Sequence, residues 1–297
     1  MKFISLPQNQ IANLSISHLS SLRLSSLISE QMKPIILLLL LITSTLQAQL
    51  KILSWNLQDF GKTKSDSTII YIANTIKNYD IVAIQEVVAG YGGAQAVAKL
   101  ANQLNTKGAK WNYTISNPTS STAYKTERYA FLYKTATVKL IGKPWLEKKY
   151  NQLIDREPYY ATFQYNNKQL TLVNYHAITK SKQPETEIKY FKFLPSQYPI
   201  LNLVFLGDFN CPQTHTVFNP LKSMGYKPAF TNQKTSLKNT CKNNNCLASE
   251  FDNIWYNATK IQVKNTKPIH FYKDFPKFHQ AKQISDHIPI TTEITIL

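Results

Sequence analysis

Residues 49–297 read as one mixed α/β domain, and three observations lead there. Short apolar runs of strand composition recur along the chain, stretches with helical spacing lie between them, and neither a Pro-, Gly- or Ser-rich linker nor a fixed-period repeat divides the chain after residue 50.

The runs cover residues 50–55, 81–84, 129–133, 170–175, 203–206, 251–256 and 287–294, and are rich in the Tyr, Thr, Ile and Val that strands favour. Trp55, in the first, is expected in the core. A helix is expected over 67–77, where Ile69, Ile72, Ala73 and Ile76 share one face and Asp66 stands at the cap position. The same spacing recurs over 93–104 with Ala94, Val97, Ala98, Ala101 and Leu104, and a third helix is expected over 185–194. Asn166-Asn167 and residues 242–245 have turn composition and are expected to be exposed. His215, His270 and His279 carry no motif and are expected at the surface. Lys273, Lys277 and Lys282, interleaved with Phe271, Tyr272, Phe275 and Phe278, fit either a nucleic-acid groove or a loop with an aromatic underside.

Residues 1–48 have a different character. Residues 1–31 are rich in Ser and Leu. Met32-Lys33, the apolar run 35–42 and the small residue Ala48 then have the layout of a secretory signal peptide. Translation is expected to start at Met32 and cleavage to follow Ala48; an uncleaved anchor is the alternative. The apolar run falls short of the roughly 20 residues a membrane span needs. The mature chain, 49–297, is therefore expected to be secreted or periplasmic, with no membrane span.

The chain has 34 Lys and Arg against 17 Asp and Glu, a net charge of +17. Removing 1–48 takes away only Lys2, Arg23, Lys33 and Glu30, so the basic excess survives. Such a surface favours a polyanion, either nucleic acid or an anionic membrane. The three cysteines, Cys211, Cys241 and Cys246, allow at most one bridge and leave one thiol, with all three pairings open. No histidine stands at ligand spacing beside them, which argues against a zinc site.

The placement of the acidic residues is more informative. Five clusters fall at the ends of the apolar runs: Gln85-Glu86, Glu127-Arg128, Gly207-Asp208-Phe209-Asn210, Asp252-Asn253 and Ser285-Asp286-His287. Strand-end loops are where sheets hold their sites. Carboxylates converging there without a cation would repel one another and raise one another's pKa. A divalent ion resolves that conflict, and oxygen ligands suit Mg²⁺, Mn²⁺ or Ca²⁺. His176 ends one run and His287 begins another, both placed for proton transfer.

The ordered series Ser54-Trp55-Asn56, Ile84-Gln85-Glu86, Glu127-Arg128-Tyr129, Asn174-Tyr175-His176, Gly207-Asp208-Phe209-Asn210, Phe251-Asp252-Asn253-Ile254 and Ser285-Asp286-His287-Ile288-Pro289 resembles the endonuclease/exonuclease/phosphatase superfamily. The segments 124–133 and Arg156-Glu157-Pro158-Tyr159 look like its deoxyribonuclease I-like branch. The resemblance implies a four-layer α/β/β/α sandwich of two packed mixed sheets, with the site across their top edges. It implies Glu86 and Asn56 as metal ligands, with Asp286 joining them, and Asp208 and Asn210 at the scissile phosphate or a second ion. It implies His176, oriented by Glu127, and His287, oriented by Asp252, as the proton-handling pair, without saying which is acid and which is base. Arg156 would clamp phosphate and Tyr124 would stack near the cut. Arg156 also fits a surface pair with Asp155 or Glu157.

Two features depart from that branch. Val88 stands where it carries an arginine that enters the minor groove, and Cys211 directly follows Asn210, which leaves the family's bridge near this motif unmapped. The function expected is a secreted, monomeric, Mg²⁺-dependent endonuclease acting on DNA, with no stable protein partner. A phospholipid phosphodiesterase similar to sphingomyelinase and a non-catalytic nucleic-acid-binding module are the alternatives. Vesicle hydrolysis marks the first; gel retardation without cleavage, insensitive to EDTA, marks the second.

Overall fold

The computed structural model describes residues 49–121 and 126–297. The expected signal peptide and Tyr124 lie outside the described residues. Two six-stranded sheets form the centre. The first contains β1 (Leu50–Phe60), β2 (Ile81–Val88), β3 (Trp111–Ile115), β4 (Glu127–Lys134), β13 (Ile261–Pro268) and β14 (Ile290–Ile296), in the order β13-β14-β1-β2-β4-β3. The second contains β5 (Lys139–Leu146), β6 (Tyr159–Tyr165), β7 (Lys168–His176), β8 (Leu203–Asp208), β9 (Tyr226–Pro228) and β12 (Asp252–Asn257), in the order β5-β6-β7-β8-β12-β9. A separate hairpin pairs β10 (Leu237–Lys242) with β11 (Asn245–Leu247).

The period-two alternation of strands produces the layers. On β1, Leu50 and Ile52 belong to the core that also holds Leu172, Val204, Leu206 and Ile254 of the other sheet. Leu53, Trp55 and Leu57 alternate with them and pack instead with Ile69, Ile72, Val97 and Leu100. Those residues lie on helices α1 (Asp66–Ile76) and α2 (Tyr91–Asn105). On β7, Leu170 and Leu172 face the intersheet core, while Val173 and Tyr175 face the far side. There they meet Ile188, Leu194 and Leu221 of α3 (Glu185–Ile188), α4 (Leu194–Gln197) and α5 (Asn219–Ser223). Three cores between four layers make the α/β/β/α sandwich. Each fully buried Leu, Ile or Phe contributes about 1.5–3 kcal/mol.

Several local expectations change. The cap of α1 is Ser65, whose side chain accepts from Thr68 N; Asp66 opens the first turn, where a carboxylate suits the helix dipole. The third helix is broken: α3 passes into a 3₁₀ segment, Lys189–Phe193, before α4. Pro195, in the first turn of α4, has no N–H to continue an unbroken helix. The last strand begins at Ile290 rather than 287, because His287 is held apart in an isolated bridge with Ser236 and Pro289 cannot donate. The aromatic residues of 271–278 pack onto the core beside α1, with Phe271 and Tyr272 buried and Phe275 and Phe278 partly so. This is the aromatic underside. No helix among the described residues is long and apolar enough to cross a membrane.

Gly207 shows how tightly the second sheet closes beneath the site. Its φ is +136°, and a Cβ there would lie 1.9 Å from the Tyr175 carbonyl oxygen on the paired strand β7. Gly207→Ala therefore strains the backbone and forces strands apart, an expected loss of about 3 kcal/mol. Urea unfolding of the variant measures it; an unchanged midpoint would show that the sheet relaxes freely.

Cys241 and Cys246 are bonded across the β10–β11 hairpin, and Cys211 is free and buried. Closing so short a loop contributes about 2 kcal/mol of chain entropy. Burial pushes the Cys211 thiol up to about 12. A thiol reagent at pH 8 is expected to label no cysteine in the native protein and one in denaturant without reductant. Rapid native labelling would contradict this burial.

Candidate active site

The site lies where the same ends of both sheets meet. β1 and β2 run parallel and bring Asn56 and Glu86 there, and antiparallel β4 begins there with Glu127. In the second sheet, parallel β7 and β8 end there with His176 opposite Asp208. Antiparallel β12 starts there with Asp252 opposite Asp208. His287 arrives from the approach to β14. Residues from distant parts of the chain thus line one open cleft of about 700 Å³, among them Glu86, Glu127, Arg156, His176, Asp208, Asn210, Asp286 and His287.

The backbone is unusual there. Gln58, Asp59, Glu86 and Asn210 all have positive φ, between 32° and 58°. Such conformations cost free energy and persist only where the surroundings impose them. At Glu86 the β1–β2 register is also interrupted, between Asn56 and Phe60. Its carboxylate is turned back to accept from Asn56 Nδ2 at 2.8 Å and from Asp59 N at 3.1 Å.

Two histidine–carboxylate pairs face each other. His176 Nδ1 lies 2.9 and 3.0 Å from the two Glu127 oxygens. His287 Nδ1 lies 2.6 Å from Asp252 Oδ2. Both Nε2 atoms are 3.5 Å from the same atom, Asp208 Oδ2. That carboxylate is itself fixed, since Asn56 Nδ2 reaches Oδ2 at 3.2 Å and Asn210 N donates to Oδ1 at 2.9 Å. Each carboxylate holds one ring nitrogen and so directs the other into the cleft.

The electrostatics of the two pairs differ. Burial pushes the Glu127 carboxyl up to about 8, against the pull of Arg156. Burial and the Arg156 charge press His176 down to about 4. Both partners are thus driven toward their neutral forms. Burial also disfavours a charged His287, but Asp252 and Asp208 outweigh it and hold that imidazole well above its usual pKa. Burial raises Glu86. A cation near Glu86 would lower it again.

Arg156 is buried rather than paired at the surface. Its Nε donates to the His176 carbonyl at 3.1 Å, its Nη2 to the Ala177 carbonyl, and Nη1 is 3.8 Å from Glu127. Glu157, next in the motif, accepts from Ser120 N and Oγ. Asn210 Nδ2 donates to the Ala177 carbonyl at 3.1 Å. Asp286 is half-buried, faces the cleft, and accepts from Leu237 N through its backbone.

The donor set suits a hard dication. Glu86, Asp208 and Asp286 supply oxygens, and no cysteine lines the cleft. Asp208, Asp252 and His287 place ligand atoms within 4.8 Å of one another. The 2.6 Å contact between His287 Nδ1 and Asp252 Oδ2 marks those two as a hydrogen-bonded pair and leaves His287 Nε2 and Asp252 Oδ1 outside that bond. Glu86 is more open to solvent than these three, its side chain 23% exposed.

Several supporting residues carried no sequence signal strong enough to assign them. Tyr129 Oη donates to the Arg156 carbonyl and accepts from His176 N. Ser285 Oγ donates to the Asn56 carbonyl and accepts from His287 N. Gln85 Nε2 reaches Asn174 Oδ1 at 2.5 Å, and Asn174 Nδ2 donates to the Ile84 and Ala130 carbonyls, bolting the two sheets together under the cleft. All four stand inside the ordered motif series, which marked their positions without giving them a role.

The family model described as Endonuclease/Exonuclease/phosphatase family matches residues 53–287. Bovine (Bos taurus) deoxyribonuclease-1 is 28% identical over 280 residues, covering 87% of this chain and 97% of its own. Human (Homo sapiens) deoxyribonuclease gamma is 26% identical, covering 88% of this chain and 90% of its own. Among solved structures, the human Nocturnin catalytic domain superposes with a TM-score of 0.59 at 15% identity, covering 84% of this chain and 95% of that one. An endonuclease/exonuclease/phosphatase family protein from Bacteroides thetaiotaomicron gives 0.60 at 16%, covering 84% and 98%. These two likenesses concern the fold.

Proposed function

Since this chain belongs to the endonuclease/exonuclease/phosphatase family, whose deoxyribonuclease I-like members it resembles, we propose that it is a secreted, Mg²⁺-dependent endonuclease that hydrolyses internal phosphodiester bonds of DNA. The observation that carries this reading is the pair of imidazoles converging on Asp208 Oδ2 from two sides, 3.5 Å each. A phosphodiester seated between them meets one group that takes a proton from the attacking water and another that returns one to the leaving oxygen. Glu127 and Asp252 keep the rings oriented for this. Asn210 and Arg156 serve the phosphate, Arg156 also holding the end of β7 through its carbonyl contacts.

Glu86, with Asp286 beside it, would hold the ion. Asn56 as oriented ties Glu86 to Asp208 through its nitrogen, and would offer its oxygen only with the amide turned over. A bound dication supplies charge neutralisation on the phosphate. Mn²⁺ or Ca²⁺ has the same oxygen preference. The basic surface, net +17 for the whole chain, supports a polyanionic substrate. Residues 1–48 are proposed as the leader, with export of a monomeric 49–297 domain.

Incubation with supercoiled plasmid in Mg²⁺, with and without EDTA, tests the assignment. Nicked circles that disappear with EDTA are expected. Intact plasmid in Mg²⁺, Mn²⁺ and Ca²⁺ would sink the DNA assignment and direct attention to sphingomyelin vesicles on the same site.

A further inference from the structure

A second groove opens beside the cleft and shares Asp59 and Val88 with it. Its other walls include Lys62, Gly90, Tyr91 and Lys282. The sequence builds it from a tight crossing between β2 and α2. A Cβ on Gly93 would lie 2.0 Å from the Val88 carbonyl oxygen, so only glycine lets the first turn of α2 press against the end of β2. Gly90 caps that helix and Tyr91 is its first residue. The turn throws the Tyr91 side chain outward, 66% exposed, next to Val88, 38% exposed.

An aromatic ring so exposed buries little area to stabilise the fold, and Tyr91 belongs to none of the three cores. It carries a cation instead. Lys62 Nζ lies 4.0 Å from the ring centre and donates to the tyrosine oxygen. Nearby lysines are committed elsewhere: Lys64 donates to the Gln283 and Ile284 carbonyls, and Lys282 to Asn239. The groove therefore offers a flat π-face, an apolar floor and one surface ammonium, open to solvent and continuous with a cleft built for phosphate.

That combination matches an unpaired nucleotide. A nucleotide offers the π-face of its base to the ring and its phosphate to the lysine, whereas bases inside a duplex are already stacked on each other and present no face. We propose that Tyr91 and Lys62 form a stacking subsite for an unpaired nucleobase flanking the scissile phosphate, so that the enzyme favours single-stranded DNA. The inference rests on the nuclease reading for the substrate it names. The subsite joins the cleft at Asp59 and Val88, and Lys180 also lines that cleft.

The test is binding rather than cleavage. Fluorescence anisotropy of the full chain with a labelled single-stranded 12-mer, and with its duplex, is measured in EDTA so that neither is cut. Tyr91→Ala is expected to weaken single-strand binding about 10-fold and duplex binding less than about 2-fold, the size of one lost base–aromatic stack. Tyr91→Phe is expected to bind like the unmodified chain. The proposal is overturned if the unmodified chain does not bind the single strand, if Tyr91→Ala leaves its affinity unchanged or weakens both substrates equally, or if Tyr91→Phe loses as much as Tyr91→Ala. Cleavage of the same single-stranded 12-mer in Mg²⁺ by the unmodified chain reports separately on the nuclease reading. An uncut single strand alongside a selective Tyr91→Ala binding defect would remove the nuclease and keep the subsite. Cleavage without that defect would do the reverse.

Discussion

His176→Ala is expected to reduce plasmid nicking by about 10³-fold or more, while the fold survives. The activity estimate follows from the usual contribution of a positioned proton-transfer group, about 10²–10⁴-fold. The fold is expected to survive because the ring sits at a strand end, outside the three apolar cores, and its backbone N–H remains bonded to Tyr129 Oη. Asp252→Asn approaches the same loss by a different route. It keeps the shape but replaces the carboxylate 2.6 Å from His287 Nδ1 with an amide that can present a donor, so the ring can lose its orientation and tautomer. The double variant is expected to lose much less than the product of the single effects, because the two imidazoles act on one bond. Initial rates, with circular dichroism to check folding, decide the matter. A folded His176→Ala protein that nicks plasmid within about 3-fold of the parent would remove His176 from the chemistry.

Removal of the divalent ion is the second large effect. EDTA is expected to abolish cleavage, and added Mg²⁺ to restore it. Glu86→Gln is expected to raise the Mg²⁺ concentration needed for half-maximal activity about 100-fold. The structural argument is the burial of Glu86, which raises its carboxyl above the ordinary range. A bound dication favours the charged carboxylate, and a neutral amide no longer attracts the ion. Since a ligand that binds only the folded state stabilises it, Mg²⁺ should raise the melting temperature of the parent and not of the variant. Equal Mg²⁺-induced shifts in both proteins would place the ion elsewhere, with the carboxylates around Asp208 the next candidates.

Several parts of this molecule could be read from order alone. The carboxylates and histidines stand at the ends of apolar runs, and burial of those runs in two sheets gathers the strand ends at one edge, where sheets hold their sites. Glu86, Glu127, His176, Asp208, Asp252 and His287 could therefore be chosen before any coordinates. The two long helices could be read too, because their apolar faces repeat at helical spacing over three turns or more. Strands without an alternating apolar face were harder. β13 carries Lys264, Asn265, Thr266 and Lys267 along a sheet edge, where lysine is protective and periodicity vanishes. β6 is a different case, since it is buried along nearly its whole length and its aromatic run could have been identified.

The sequence by itself determined which groups the chain carries and in what order: carboxylates and two imidazoles at the ends of apolar runs, on strands that alternate between two faces. Only the tertiary structure decided how those groups meet. Glu127 and His176 are 49 residues apart in the chain yet 2.9 Å apart in the site, and Cys241 pairs with Cys246 rather than Cys211 because the β10–β11 hairpin sets those two side by side. Arg156 turned inward to the His176 and Ala177 carbonyls, and Tyr91 turned outward beside the cleft. The reason is physical. Burial pattern is a local property that composition encodes residue by residue, whereas a contact between strand ends requires two sheets to pack at one register, which the whole core selects at once.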